Sequence, residues 1–319
     1  MAVLGSQVVN AQAPSPAPRS NLNWQMKTLG GVQFWTDVRV EGGWRVQQNS
    51  ETGHFRLIDA NKVRQAWGSQ AACELELDQK IGAKIVTPYS GKVVILLHGL
   101  GRSYDCMNSL AVALQQQGYQ TINFGYASTR TDIQHHAAAL RSVIDHLGDD
   151  VTEINFVGHS LGNIVVRRYL GGKDQQVGAV DPRIASMVML GPPNHGSRMA
   201  RLVQNSLTFK VVTGASGQQL AGGWEQFEPT LGTPKFRFGI IAGGQKSDSG
   251  ISNMLVPGKD DFTVGVDEAK LAGATDFLVA PLFHSNMMAD SNAIGWTVSF
   301  LKQGYFVSEA DRQPIEAIR

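Results

Sequence analysis

The sequence predicts an α/β fold with a doubly wound, mostly parallel sheet and an antiparallel N-terminal edge. Between residues 91 and 304, short apolar runs alternate with segments of helical periodicity, which is typical of parallel strands joined by crossover helices. Residues 33–40 and 44–48 are rich in aromatic and β-branched residues and are separated by Gly42 and Gly43. This pattern predicts an antiparallel hairpin.

The elements of the parallel sheet follow from apolar runs short enough to be strands. The predicted strands are residues 93–97, 121–126, 153–157, 184–190, 236–242 and 277–281. The predicted helices are residues 107–114, 133–147, 161–170 and 285–303. Residues 61–76 are predicted to form a connector that contains a helix.

Length and composition allow this fold together with a smaller additional region. The chain has 319 residues, of which 42% are hydrophobic and 17% charged, which is enough apolar material for a large core. We predict a leader or linker at 1–20, an N-terminal extension that adds edge strands at 21–90, and a main α/β domain at 91–319. A stretch rich in Gly, Ser and Gln at 194–235 interrupts the alternation and is predicted to cap the carboxyl end of the sheet.

Charge, hydropathy and cysteine content restrict the function classes. The 28 basic and 27 acidic residues leave a net charge of +1, which gives no support to nucleic-acid binding or to membrane docking by basic residues. No stretch of 18 apolar residues occurs in the sequence, so no integral membrane segment is expected. Cys73 and Cys106 are too few for a disulfide scaffold or a cysteine-rich zinc site, and either one disulfide or two free thiols fits their number.

The N-terminus has some features of an export leader. Residues 3–9 form a weakly apolar run, and residues 11–13 read AQA, which matches the small-residue pattern of a signal-peptidase site. No basic segment precedes the run, and Pro14 follows the cleavage position. We predict the end of an export leader, hence a periplasmic or secreted protein. A disordered tail on a cytoplasmic protein is the alternative.

A candidate nucleophile lies in the sequence GHSLG at residues 158–162. The sequence follows one predicted strand and precedes a predicted helix. A serine on a sharp turn between strand and helix projects its hydroxyl, and the two glycines let neighbouring backbone approach. The pattern alone also fits an ordinary glycine-rich turn. Its strand–turn–helix context makes Ser160 the predicted nucleophile.

A candidate oxyanion-binding loop has the sequence HGLG at residues 98–101, directly after a predicted strand. Acyl transfer places negative charge on a carbonyl oxygen, and N–H groups aimed at that oxygen in advance stabilise it. We predict the backbone amides of Leu100 and Leu161 as these donors, and His98 as a brace of the loop. A dinucleotide-type turn is disfavoured because Tyr104 occupies the position of the third glycine.

His284 is the predicted general base. It lies just past the last predicted strand, so among the eight histidines it best fits the order nucleophile, acid, base. His135 and His136 lie in an amphipathic helical segment and are predicted to be surface residues.

The acid that orients His284 is expected after the strand at 236–242. That part of the chain holds several aspartates: Asp248, Asp260, Asp261 and Asp267. We prefer Asp261 because Val264, three residues later, can anchor the loop while the carboxylate turns inward. Asp260 is the alternative.

These motifs, in this order, resemble those of the α/β-hydrolase superfamily, particularly its lipase and carboxylesterase branch. The resemblance runs from about residue 91 to residue 304 and rests on five sequences: HGLG at 98–101, GHSLG at 158–162, GPPNHGS at 191–197, DDFTV at 260–264 and FHS at 283–285. It implies the α/β-hydrolase fold, a Ser160–His284–Asp261 triad, and Leu100 and Leu161 as oxyanion-hole donors.

Two positions depart from the pattern of these lipases. Phe262 stands where Gly often follows the acid. His195 stands where Arg often precedes the Gly-Ser of the motif at 191–197, and it lines either the site or the cap. Residues 21–90 carry no motif of the superfamily.

The implied activity is that of a serine carboxylic-ester hydrolase acting through an acyl-enzyme. No metal or organic cofactor is expected, because no HExxH, P-loop or cysteine cluster occurs. The rival hypotheses are an acyltransferase with the same triad and a catalytically silent binding protein. The oligomeric state is not predicted.

The substrate is expected to be a small-molecule or lipid ester, and a lipase, a broad carboxylesterase and a polyester hydrolase all fit. Candidate substrate-binding residues in the cap are His195, Met199 and Leu202; its apolar side chains either contact substrate or bury the cap. We predict a fixed or modestly mobile cap, since the segment lacks the long amphipathic helix of an interfacial lid.

Overall fold

The computed structural model describes residues 26–27, 33–171, 179–197, 207–244 and 264–317. Within these ranges the chain forms an antiparallel sheet of five strands and a parallel sheet of six strands. The predicted fold class, a doubly wound parallel sheet with antiparallel strands at its N-terminal side, is confirmed.

The N-terminal strands were predicted to add to the edge of the parallel sheet, but they form a separate antiparallel sheet with the spatial order β1-β5-β4-β3-β2. They are β1 (Met26–Lys27), β2 (Trp35–Glu41), β3 (Trp44–Asn49), β4 (Phe55–Ile58) and β5 (Val63–Gly68). The predicted hairpin is β2–β3, and β5 occupies part of the segment predicted as a connector. Helix α1 (Gln70–Gly82) begins after Ser69, whose side chain accepts a hydrogen bond from the N–H of Ala72. A small core lies between this helix and the sheet: Val38, Val46, Leu57, Ala66, Cys73, Leu77 and Val86.

The parallel sheet has the order β11-β10-β9-β8-β6-β7. Its strands are β6 (Gly91–Leu97), β7 (Gln120–Phe124), β8 (Val151–His159), β9 (Ile184–Leu190), β10 (Arg237–Gly243) and β11 (Asp276–Ala280). The remaining helices are α2 (Asn108–Gln115), α3 (Ile133–Asp145), α4 (Leu161–Leu170), α5 (Leu207–Leu220), α6 (Trp224–Phe227), α7 (Val266–Ala269) and α8 (Ser291–Gln303).

The two faces of the parallel sheet carry separate apolar cores. Leu140 of α3 and Ile164 of α4 are fully buried on one face. Leu110 of α2 and Phe300 of α8 are fully buried on the other face. Strands covered on both faces explain the continuous apolar runs in the sequence.

The last helix begins later than predicted. Residues 284–286 form a single 3₁₀ turn, and α8 starts at Ser291. The carboxylate of Asp290 accepts hydrogen bonds from the N–H groups of Asn292 and Ala293, which satisfies two donors that the helix itself leaves unpaired. The residues before Asp290 therefore form a loop, and this loop carries His284.

The antiparallel sheet covers the β7 edge of the parallel sheet. Asp37 donates its N–H to the carbonyl of Gly125 at 2.8 Å, and its carboxylate accepts the N–H of Gly125 at 2.7 Å. The Arg45 guanidinium pairs with the Asp37 carboxylate and donates to the carbonyl of Asn123 at 2.9 Å. Gln47 also donates to Asp37 at 2.7 Å. These groups satisfy backbone atoms that a sheet edge leaves unpaired.

Both cysteines are free thiols, so the structure has two unpaired cysteines and not the alternative of one disulfide. Burial raises the pKa of Cys73 and of Cys106 to about 11, and a protonated thiol is a poor nucleophile. In the described part of the chain, none of the helices is long and apolar enough to cross a membrane.

Candidate active site

Four of the motifs singled out in the sequence follow the carboxyl ends of the parallel strands. His98 comes directly after β6, Ser160 after β8 and Gly191 after β9, while His284 lies four residues past β11. In an open parallel sheet these ends meet at one edge, which is where such folds bind ligands.

Ser160 lies on a strained turn between β8 and α4. Its backbone has φ 51° and ψ −119°, a conformation that costs energy in a residue with a side chain. Its N–H donates to the carbonyl of Leu190 at 2.9 Å. The side-chain amide of Asn163 donates to the carbonyls of Ser160 and Leu190, at 3.1 and 3.2 Å. The end of β9 and the first turn of α4 therefore hold the turn in place.

The loop at residues 98–101 lies beside this turn. A Cβ built on Gly99 would lie 3.3 Å from the Cβ of Ser160. The ring of His98 donates from Nδ1 to the carbonyl oxygen of Gly99 at 2.8 Å, which fixes the plane of the peptide between Gly99 and Leu100. Because a trans peptide directs its C=O and N–H to opposite sides, this contact also fixes the direction of the Leu100 N–H.

His98 is held from behind by Tyr126. The Tyr126 hydroxyl donates to the carbonyl oxygen of His98, and the two rings stack with their centroids 4.1 Å apart. Burial lowers the pKa of His98 to about 4, so its ring is neutral near pH 7. These contacts are those of a residue that braces the loop.

The second predicted donor, Leu161, is the first residue of α4. Its N–H has no acceptor within the helix, and the positive end of the helix dipole lies at the same place. The Leu161 side chain is fully buried, which holds this end of the helix in the core.

The loop after β11 carries His284 back across the sheet. β11 is separated from β8 by β10 and β9, yet the carbonyl oxygen of His284 lies 2.8 Å from Nε2 of His159. The two histidine rings have centroids 4.9 Å apart. His284 therefore lies next to the residue that precedes Ser160.

Glycines at two strand ends make room for this loop. A Cβ on Gly243, at the end of β10, would lie 2.6 Å from the carbonyl oxygen of Leu282. A Cβ on Gly191, after β9, would lie 2.7 Å from Nδ1 of His284. Separations below 3.0 Å essentially never occur for real Cβ atoms, so a side chain at Gly243 would displace the loop backbone and one at Gly191 would displace the His284 ring.

Other predicted residues lie elsewhere or outside the described residues. Asp261, Asp260, Met199 and Leu202 are outside the described residues. His195 is described: its Nδ1 lies 3.2 Å from a carboxylate oxygen of Glu228, and just over half of its side chain is exposed.

The described part of the predicted cap lies against the candidate oxyanion-binding loop. A Cβ on Gly217 of α5 would lie 3.4 Å from Cδ2 of Leu100. Ser216 donates to the carbonyl of Thr131 at 2.8 Å, and its hydroxyl lies 3.2 Å from Nε2 of His136. Buried hydrogen bonds thus join α5 to the start of α3.

The prediction that His136 is a surface residue is wrong, whereas His135 is exposed as predicted. His136 is fully buried, and burial lowers its pKa to about 3. It shares the buried face of α3 with Ile133 and Leu140. A polar side chain can lie on this face because the hydroxyl of Ser216 pairs with it. The spacing of His136 from Ile133 and Leu140 indicated the buried face, but its partner Ser216 is 80 residues away in the chain.

Sequence reasoning also gave no role to His159. It is part of the sequence GHSLG, but its contact with His284 joins residues 125 positions apart. No local pattern indicates such a pair.

Comparison with known proteins supports the fold. A family model described as alpha/beta hydrolase fold matches residues 92–214, and the resemblance to that superfamily is confirmed. No curated protein matches the chain.

Several solved structures are similar to the chain at low sequence identity. A Bacillus licheniformis lipase, BlEst2 in mature form, is 18% identical with a TM-score of 0.49, over 67% of this chain and 92% of that one. The product of the gene lin2722 of Listeria innocua is 17% identical with a TM-score of 0.47, over 72% of this chain and 99% of that one. A metagenomic carboxyl esterase, MGS0156, is 18% identical with a TM-score of 0.38, over 50% of this chain and 52% of that one.

Proposed function

We propose that this chain, which has the α/β-hydrolase fold, is a serine hydrolase of carboxylic esters. The observation that carries the proposal is the strained conformation of Ser160, with φ 51°. His284 approaches this turn on the loop that follows the edge strand β11. Strain of this kind persists where the surrounding structure enforces it, and it clusters at active sites.

In the proposed reaction Ser160 attacks the ester carbonyl while His284 removes the proton of its hydroxyl. The backbone N–H groups of Leu100 and Leu161 stabilise the oxyanion that forms. His284 then protonates the leaving alcohol, and an acyl-enzyme on Ser160 results. Water attacks this acyl-enzyme in the second half of the cycle, with His284 again as base, and releases the carboxylic acid.

The acid member of the triad is proposed to be Asp261, with Asp260 as the alternative. Its carboxylate would accept the second ring N–H of His284, fix the tautomer of the imidazole and stabilise the imidazolium. The support is the position of both aspartates in the chain, after β10 and before β11.

The proposed substrate is a carboxylic ester with an apolar acyl group. Leu100, which lies under α5, supplies apolar surface at the edge of the oxyanion-binding loop. Chain-length preference depends on the volume of the acyl pocket. A series of p-nitrophenyl esters of increasing acyl length measures this preference as kcat/KM for each length.

A fluorophosphonate probe tests the proposal most directly. We expect covalent labelling of Ser160 in the wild-type chain and none in Ser160→Ala. An unlabelled wild-type chain with a normal thermal unfolding transition would favour a catalytically silent binding protein. Product analysis with added alcohols separates hydrolysis from acyl transfer, because an acyltransferase would give a new ester in place of the acid.

A further inference from the structure

His159, the residue before Ser160, lies between two parts of the candidate active site. Its side chain is almost fully buried at the end of β8. On one side, Nε2 lies 2.8 Å from the carbonyl oxygen of His284. A carbonyl oxygen only accepts hydrogen bonds, so Nε2 carries the hydrogen and donates it. Burial holds the pKa of His159 well below its ordinary value, so the ring stays neutral with one N–H.

The other side of the ring faces the oxyanion-binding loop. A Cβ built on Gly99 would lie 2.8 Å from Nδ1 of His159. Among the described residues, Nδ1 has no hydrogen-bond partner, as expected of the bare nitrogen in this tautomer. The ring therefore fills the space between the loop that carries His284 and the loop that carries Leu100.

The loop that carries His284 needs such an anchor. It crosses the ends of two strands before it reaches β8, and its 3₁₀ turn at residues 284–286 is only three residues long. A hydrogen bond to the carbonyl of His284 itself fixes the backbone at the position of the base. The donor is attached to the same turn as the nucleophile, so the bond ties the base to the nucleophile.

We propose that His159 is a positioning residue, whose Nε2–H holds the backbone of His284 so that the imidazole stays within reach of the Ser160 hydroxyl. This inference rests on the proposed function. It assigns His159 no contact with substrate and no proton transfer. Loss of the bond would let the base shift, and a displacement of about 1 Å between reacting groups can cost on the order of 100-fold in rate.

Two substitutions separate this role from simple packing. His159→Phe keeps a ring of similar size but removes the donor, while His159→Gln keeps an N–H donor at similar reach. We expect kcat for a p-nitrophenyl ester to fall by about 10- to 100-fold in His159→Phe, with KM within about twofold of wild type. His159→Gln should recover most of that loss. The rate of fluorophosphonate labelling should follow kcat in both variants.

His54→Phe is the control for replacing a partly buried histidine elsewhere. His54 packs edge-on against Trp35 and Trp67 in the antiparallel sheet, so its replacement should leave kcat unchanged. Thermal unfolding and the number of labelled serines per folded chain are measured for every variant, so that a loss of folded protein is not counted as a loss of rate.

Equal kcat in His159→Phe and wild type would overturn the inference, as would equal losses in His159→Phe and His159→Gln at full folding. Failure of the proposed function looks different: the wild-type chain itself would then neither hydrolyse esters nor react with the probe.

Discussion

Gly191 and His284 are so close that a Cβ on the glycine would lie 2.7 Å from Nδ1 of the imidazole. The end of β9 thus leaves room for the proposed base only because residue 191 has no side chain. Gly191 also has φ +52°, a backbone conformation that disfavours any other residue.

Gly191→Ala should therefore displace His284 and lower kcat for ester hydrolysis by on the order of 100-fold, because the base moves away from the nucleophile. Gly53→Ala is the matched control: Gly53 also has a positive φ, +72°, but a Cβ added there would meet nothing within 4 Å. Gly53→Ala should lose about 1–2 kcal/mol of unfolding free energy because of its positive φ but keep its kcat, whereas Gly191→Ala has both the positive φ and the collision with His284. Similar activity in the two variants would remove Gly191 and His284 from the proposed site.

Ser160→Ala should abolish ester hydrolysis, by about 10⁴-fold or more, without unfolding the protein. Ser160→Gly should be equally inactive but more stable than Ser160→Ala by about 1 kcal/mol, because glycine adopts the positive φ of this turn without strain. Urea unfolding of the two variants measures the difference. Near-normal turnover by Ser160→Ala would remove the whole triad assignment.

Asp261→Asn should lose activity steeply, by about 10⁴-fold, because the amide allows the wrong tautomer of the imidazole. Asp260→Asn should stay within about tenfold of wild type. Asp267→Asn serves as the control, since the Asp267 carboxylate is exposed and binds Lys270 at 2.8 Å. If Asp260→Asn is the inactive variant, the role of the acid passes to Asp260.

The buried histidines should make stability depend on pH. The pKa of His136 is lowered to about 3 and that of His98 to about 4 by burial, from about 6.5 in the unfolded chain. Between these values the unfolded state binds protons that the folded state does not. The free energy of unfolding should therefore be highest above about pH 6.5 and fall as the pH is lowered toward about 4.

His136→Phe tests that origin. Between about pH 6.5 and about pH 4, the slope of the unfolding free energy against pH should be smaller in the variant than in wild type. The difference should be up to about 1.4 kcal/mol per pH unit, the contribution of one proton. Chemical denaturation at several pH values between about 7.5 and about 4.5 measures the slope. An unchanged slope would mean that His136 is protonated in the folded protein.

The cap should act as a fixed cover rather than an interfacial lid, because α5 is joined to the start of α3 by buried contacts of Ser216. Gly214 of α5 has φ +59°, and a Cβ there would collide with the carbonyl oxygen of Thr129. The absence of a side chain at Gly214 therefore lets the backbone of α5 lie close to Thr129. We expect the rate on a medium-chain triglyceride to show no upward break at its solubility limit. A sharp break there would indicate a lid that opens at an interface.

The positions of the parallel strands along the chain and the position of Ser160 could be predicted from sequence because their signals are local. Apolar runs indicate the strands, and the sequence GHSLG lies within five residues of one strand end. His284 could be predicted as the candidate base because it lies after the last apolar run. The predicted start of α8 was too early. In residues 285–290, only the capping Asp290 distinguishes the loop from the helix that follows.

Contacts between distant parts of the chain could not be predicted in the same way. Strand β5 mixes charged, polar and apolar residues in six positions, so its period is weak and its pairing with β4 decides its structure. The burial of His136 depends on Ser216, and the role proposed for His159 depends on a carbonyl 125 residues later. Each pair is set by tertiary packing.

The antiparallel sheet also has a consequence for solubility. By binding the backbone of Asn123 and Gly125, Arg45 and Asp37 occupy the outer side of β7, which has a single strand neighbour in the parallel sheet. A chain that begins at residue 91 would expose this strand edge to other molecules, and open edges of this kind pair with one another and aggregate. We therefore expect the antiparallel sheet to protect this edge of the protein against self-association, although it carries none of the proposed chemistry.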